Sequence, residues 1–159
     1  MTSSSSPPIP SFYHIFFSSI DPLIALSAIY FNFFDPETSL GSMFPPSDPS
    51  FVITPLHTLI LHQLGGAFFT IIFLQVVLLR YTKDVQIWKI FQTSILLMDF
   101  AMFFSIWMAL KSQNRCQVGR IRWEEWGNIG ITGFVTITRI AFLAEVGFKK
   151  SRNQAKKRA

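Results

Sequence analysis

Four long apolar runs constrain this chain more than any other feature. They extend from about Phe12 to Phe34, Pro55 to Leu79, Ile90 to Leu110 and Gly127 to Phe148, and each reaches the ~20 residues needed to cross a ~30 Å hydrocarbon core. Inside lipid, backbone N–H and C=O groups find partners only within a helix or a closed barrel, so runs of this length predict helices. Half of the 159 residues are apolar and only 14% are charged, which leaves too little polar surface to cover the outside of a soluble four-helix bundle. The expected fold class is all-α: an integral membrane bundle of four transmembrane helices.

Three segments follow from this pattern: residues 1–11 as a disordered cytosolic N-terminus, 12–148 as a four-span membrane domain, and 149–159 as a basic cytosolic tail. The opening MTSSSSPPIPS has no basic region and no small-residue cleavage site ahead of its apolar run, so the first span is expected to remain as an anchor. The connection DPETSLGSMFPPSDPSFVITP carries no Lys or Arg and is rich in Pro and Ser, as expected of a loop outside the bilayer. The next connection holds Arg80, Lys83 and Lys89, the third holds Lys111, Arg115, Arg120 and Arg122 with Glu124 and Glu125, and the tail adds six basic residues. The positive-inside rule then favours both termini in the cytosol. Trp88, Trp123 and Trp126 fall at span ends, where indole rings favour the membrane interface.

The net charge of +5 reports this topology rather than nucleic-acid binding, because six of the 14 basic residues lie in the last eleven positions and no basic stripe alternates with aromatic residues. The single cysteine, Cys116, excludes an internal disulfide and leaves no zinc-ligand spacing. Nucleotide loops, nucleophile elbows, zinc helices and acidic diphosphate-metal motifs are all missing, so no cofactor and no metal is expected. Lys156 and Lys157 stand fourth and third from the end, an arrangement similar to the dilysine retrieval signal of endoplasmic reticulum membrane proteins. The same charges also suit anionic lipid headgroups.

The candidate site rests on ionisable residues inside the spans. Asp21, Asp99 and Arg139 each lie near the middle of a run, where a charge costs roughly 2.5 to 3.5 kcal/mol on the milder insertion scale. The fourth helix runs opposite to the first and third, so at 1.5 Å per residue all three reach one depth. A cluster in which Arg139 pairs with Asp99, Asp21 or both would offset the cost. Two faces support it: His14, Ser18, Asp21, Ala25, Ala28 and Asn32 recur at spacings of three and four in the first span, as do Asn128, Thr132, Val135 and Arg139 in the fourth. Pro22 after Asp21 removes a backbone donor and is expected to bend the helix. His62, followed by Gly65 and Gly66, is the fourth candidate, as an acid or base toward a substrate above Asp99. Two readings stay open: a catalytic site, or an ion pair that locks a helical bundle.

The order IDPL, FDP, a Gln63-Leu64 pair, LLRYTKDVQIWK, a mid-span Asp, WEEWGNIGIT, RIAF and VGF resembles a family of small four-span fungal membrane proteins of unknown function. The resemblance covers about Pro10 to Phe148 and makes Asp21, Pro22, Asp99, Trp126, Gly127, Asn128 and Arg139 shared positions. It departs where the family often has a His soon after the third-span Asp, since Met102 lies within AMFF here. Some members are associated with secondary-metabolite pathways. The resemblance therefore implies an expected role in fungal secondary-metabolite biosynthesis, as a cofactor-independent cyclase or isomerase on a terpenoid or polyketide-derived intermediate. In that role Asp99 or Asp21 is the general acid and Arg139 holds an anionic group. The alternative is a non-catalytic membrane scaffold or transport accessory. The expected partners are membrane lipid, a lipophilic small molecule and other pathway enzymes, with no nucleic acid.

Overall fold

The computed structural model describes residues 9–49 and 51–148, and these are helical with no strand among them. Helix α1 (Ser11–Ile15), a π-helical turn (Phe16–Ile20) and α2 (Asp21–Phe34) form one continuous rod. A short α3 (Pro36–Gly41) follows, then α4 (Pro55–Tyr81), α5 (Val85–Ser112), a 3-10 turn (Val118–Arg120) and α6 (Trp123–Leu143).

Three of these rods, Ser11–Phe34, Pro55–Tyr81 and Val85–Ser112, are long and apolar enough to cross a membrane. Helix α6 is not among them, although its 21 residues suffice in length. Glu124, Glu125, Asn128, Arg139 and three threonines, Thr132, Thr136 and Thr138, dilute its apolar residues.

Local chemistry sets the boundaries. Thr54 and His57 cap α4 reciprocally: Thr54 Oγ1 accepts from the His57 N–H and His57 Nδ1 accepts from the Thr54 N–H, with Pro55 at the first helical position. Asp84 caps α5 through Gln86 N–H at 2.8 Å, which starts that helix at Val85, ahead of the Ile90 expected from the apolar run. Asp35 caps α3 by accepting from the Thr38 hydroxyl and backbone N–H. These bonds favour the ionised carboxylate and hold Asp35 below the usual aspartate range. The sequence reading has only a loop here.

The ends of α5 and α6 share one device. Asn114 and Glu145 take left-handed backbone at φ 55° and 58°. Around Glu145, the Val146 N–H donates to Ala141 O and the Glu145 N–H to Phe142 O, the paired pattern that closes a helix C-terminus. This stops α6 at Leu143, short of the Phe148 expected from hydropathy alone.

The helices pack as two pairs, α2 with α4 and α5 with α6. Gly65 permits the first contact, because a Cβ there would lie 2.6 Å from Phe33 Cε2 and 3.4 Å from Asn32 Cβ. At one end of the bundle the pairs share a core of Tyr13, Phe16, Phe17, Leu79, Trp88, Val135 and Phe142, tied by the Tyr13 hydroxyl donating to Val146 O at 3.0 Å. Trp88 is fully buried in the first turn of α5 and donates through Nε1 to Thr82 O in the preceding connection. Trp123 and Trp126 are exposed. At the other end Arg122 donates to Gly41 O and Gln113 to Met43 O.

Polarity runs inside out. Helix α6 buries Thr132, Thr136, Thr138 and Arg139 while exposing Ile131, Phe134, Ile137 and Ile140. Helix α5 buries Gln92 and Asp99 and exposes Ile90, Leu97, Phe100 and Phe104.

The Gly65 contact gives a test. Gly65→Val forces α2 away from α4 and is expected to lower stability by about 1–3 kcal/mol. Gly66→Ala, with nothing within 4 Å of its Cβ position, is expected to be neutral or mildly stabilising. Thermal unfolding of the purified protein, monitored by helical circular dichroism, distinguishes the two; equal effects would contradict the packing role.

Candidate functional site

The site begins with a backbone irregularity. Pro22 has no N–H, so the Ser18 carbonyl loses its ordinary helical donor. In the π-helical turn the Asp21 N–H reaches past Phe17 to Phe16 O, which frees the Phe17 carbonyl as well. Side chains from α4 satisfy both: Gln75 Nε2 donates to Phe17 O at 2.7 Å, and Arg80 Nη2 donates to Ser18 O at 3.2 Å. Gln75 Nε2 also donates to Asp21 Oδ2 at 2.8 Å. The proline and the π-helical turn thus leave acceptors that dock the second helix against the first.

Arg139 joins the two helix pairs. Its Nη2 donates to Asp21 Oδ2 at 2.6 Å, its Nη1 is closely paired with Asp99 Oδ2, and its Nε donates to Gln92 Oε1 at 3.2 Å. Asp21, Asp99 and Arg139 are buried at 5%, 6% and 4% exposure, and Gln92 is fully enclosed. The structure thus brings together the three charged residues singled out from the sequence. It adds Gln75 and Gln92, which the sequence reading missed; their only signal is a lone amide inside each of the apolar runs IIFLQVVLL and KIFQTSILL. Gln92 Nε2 is buried and has no hydrogen-bond partner.

His62 lies elsewhere. It is exposed on α4, with its ring stacked on Phe33 at 5.1 Å. Its separation of thirteen positions from Gln75 corresponds to about 20 Å along the helix. Its expected acid or base role beside Asp99 has no geometric support. Lys156 and Lys157 lie outside the described residues.

A second charged network closes the opposite end. Arg115 makes a bidentate pair with Glu125, both bonds at 2.8 Å, and Glu125 also accepts from the Arg122 backbone and side chain. Burial opposes ionisation of Glu125, but the donors from Arg115 and Arg122 outweigh it and hold the carboxyl below its usual range. From sequence these residues form only a mixed-charge loop, because their pairing spans a turn with no periodic signature.

Near that end, Phe103, Ile106, Trp107, Leu110, Cys116 and Ile129 line an open apolar cavity of about 200 Å³. None of the cluster residues borders it, so the room for an apolar group and the charged side chains are separate. Among the described residues no three His, Cys, Asp or Glu side chains converge as a metal site.

Fold and site together define an all-helical protein with three helices able to cross a membrane and a buried arginine held between two aspartates. The family model described as a domain of unknown function (DUF7704) matches residues 6–149, and the chain belongs to that family. No curated protein and no solved structure matches the chain.

Removing one member of a buried ion cluster strands the others, at about 3–5 kcal/mol, whereas replacing the whole cluster by apolar side chains is far less costly. Arg139→Met is expected to destabilise the protein by that amount. Combining it with Asp21→Leu and Asp99→Leu should recover most of the loss, measured by thermal unfolding of the purified variants. Failure of the triple variant to exceed Arg139→Met would mean that the cluster is not acting as a unit.

Proposed function

We propose that the protein is a four-span integral membrane protein of a lipophilic-metabolite pathway, in which the Asp21–Arg139–Asp99 cluster is a structural lock and the chain serves neighbouring enzymes as a non-catalytic scaffold or transport accessory. The observation that carries the non-catalytic reading is the engagement of all three guanidinium nitrogens of Arg139 with side chains of this same chain. Two of its five N–H donors lie outside these bonds, but at 4% exposure the guanidinium offers a substrate anion no open approach. The resemblance to fungal four-span proteins associated with secondary metabolism supplies the pathway context.

Helix α6 supplies the fourth span in this reading. Its polar residues face inward onto partners and its isoleucines and Phe134 face outward, so its low mean hydropathy does not reflect the surface that lipid would meet. The basic residues Arg80, Lys83 and Lys89 and the basic tail mark the cytosolic side, and Lys156 with Lys157 directs the protein to the endoplasmic reticulum.

One observation favours the second reading, a cofactor-independent cyclase or isomerase: the unpartnered Gln92 Nε2 is a buried donor on a side chain bonded to Arg139, a place where a substrate carbonyl could be polarised.

Metabolite profiling separates the readings. Deleting the gene is expected to lower a pathway product, and Asp99→Asn at normal protein level is expected to restore it, because the amide preserves an acceptor for Arg139. Accumulation of a precursor with abundant Asp99→Asn protein would overturn the scaffold reading in favour of catalysis.

The orientation has its own test. Cys116 is the only cysteine in the chain and is exposed in the α5–α6 connection, on the lumenal side in the proposed topology. In sealed microsomes with their cytosolic face outward, a membrane-impermeant maleimide is expected to label Cys116 only after detergent is added. Labelling of intact vesicles would reverse the assignment.

A further inference from the structure

The charges at the cluster do not balance. Two carboxylates, Asp21 and Asp99, face one guanidinium, Arg139, in an interior where all three side chains are at most 8% exposed. The remaining polar groups facing them are neutral: the amides of Gln75 from α4 and Gln92 from α5, and the Thr136 hydroxyl of α6 beside Asp99. Arg80 is a further cation on this side, bonded to the Ser18 carbonyl three residues before Asp21. It is exposed and donates to a backbone oxygen rather than to either carboxylate, so solvent screens its charge from the enclosed cluster. With both aspartates ionised the enclosed cluster would carry a net charge of −1, and an uncompensated buried charge is driven to neutralise.

The geometry selects the neutralising species. Arg139 does not grip one carboxylate with both arms of its fork; it gives Nη1 to Asp99 and Nη2 to Asp21, touching the Oδ2 atom of each. Each carboxyl group thus receives half of the bidentate pairing a guanidinium can offer. The Oδ1 atoms stay outside the fork. A metal ion would require several oxygen ligands converging on one centre, and no such group of residues exists among those described. A proton needs only one oxygen and no additional space.

We propose that the Asp21–Arg139–Asp99 cluster is a proton-binding site, which holds one proton on its pair of carboxyl groups at neutral pH. The proton belongs to the pair rather than to one residue, because two interacting acids titrate as a unit. The folded cluster therefore binds a proton that the unfolded chain, with its aspartates in water, does not hold at neutral pH. By linkage, stability contributed by this proton is complete below the range of aspartates in water, about pH 4, and is lost as pH rises through the point where the folded cluster releases it. The inference concerns the charge state of the site and holds whether or not the chain catalyses a reaction.

Infrared spectroscopy of the purified full-length protein at neutral pH reads the proton directly, since a protonated carboxyl group has a C=O stretch well separated from carboxylate bands. The wild type is expected to show one such band. Carbon-13 labelling of aspartate side-chain carboxyls should shift it to lower frequency in the wild type, a result that requires no variant to fold. Asp21→Asn and Asp99→Asn should each abolish it, because either leaves one carboxylate for one guanidinium. Glu124→Gln should leave it unchanged, although Glu124 Oε2 is also buried without a partner. Raising the pH should lower wild-type thermal stability up to the point where the band bleaches and leave it level beyond, and Asp99→Asn should lack that dependence. Absence of the band in neutral wild-type protein, its insensitivity to aspartate labelling, or its survival in both asparagine variants would overturn the proposal.

Discussion

The rest of the structure depends on one guanidinium. Arg139 on α6 reaches Asp99 and Gln92 on the adjacent α5 and Asp21 on the opposite helix pair. Asp21 is in turn bonded to Gln75 of α4, so a single side chain links all four long rods. Aromatic packing around Phe17 and Phe142 closes one end of the bundle, and the Arg122 and Gln113 bonds to the α3 region close the other. Neither contact sets the middle, where the helices meet through polar atoms. A buried arginine is suited to this position because its donors are fixed in a plane and point in several directions at once.

This arrangement also accounts for the polarity of each helix. In a hydrocarbon environment, apolar side chains gain little by moving from lipid into protein, so association rests on close packing and interhelical hydrogen bonds. The four long rods follow that division: Gly65 provides the close approach, Gln75, Gln92, Asp21, Asp99 and Arg139 provide the bonds, and large apolar residues such as Leu23, Phe73, Phe104 and Ile137 point outward. In water the same exposed surface would be a liability of exceptional size. The inside-out pattern on α6 thus favours the proposed membrane setting more directly than a hydropathy average over that helix can.

Much of this was legible in the sequence because two physical rules act strongly there. Apolar length marks Phe12–Phe34 and Pro55–Leu79 to within two residues of the helices found, and the cost of an unpaired charge in an apolar run brings Asp21, Asp99 and Arg139 together before any coordinates are seen. Gln75 and Gln92 escaped because an isolated amide carries no net charge and repeats at no helical spacing. The donor missing at Pro22 was legible, but that it would combine with a π-helical turn to leave the Phe17 and Ser18 carbonyls for Gln75 and Arg80 depends on the opposing helix. His62 shows the complement: residue type suggests a proton-transfer site, whereas tertiary packing leaves it on an outer face, stacked on Phe33.

The same enclosure bears on what the cluster can do. A general acid must place its proton within hydrogen-bond reach of substrate and regain it afterwards, but the aspartates here are covered by the helices that they join. Ion pairing with Arg139 also stabilises the carboxylate, which opposes proton donation, while burial and the second carboxylate act in the other direction. A proton retained by such a balance is more useful to assembly than to turnover: it makes docking of α2 and α4 against α5 and α6 free of net charge. Separating the pairs would expose both aspartates to a more polar medium and release that proton, so the charge state of the cluster and the closure of the bundle are one equilibrium rather than two.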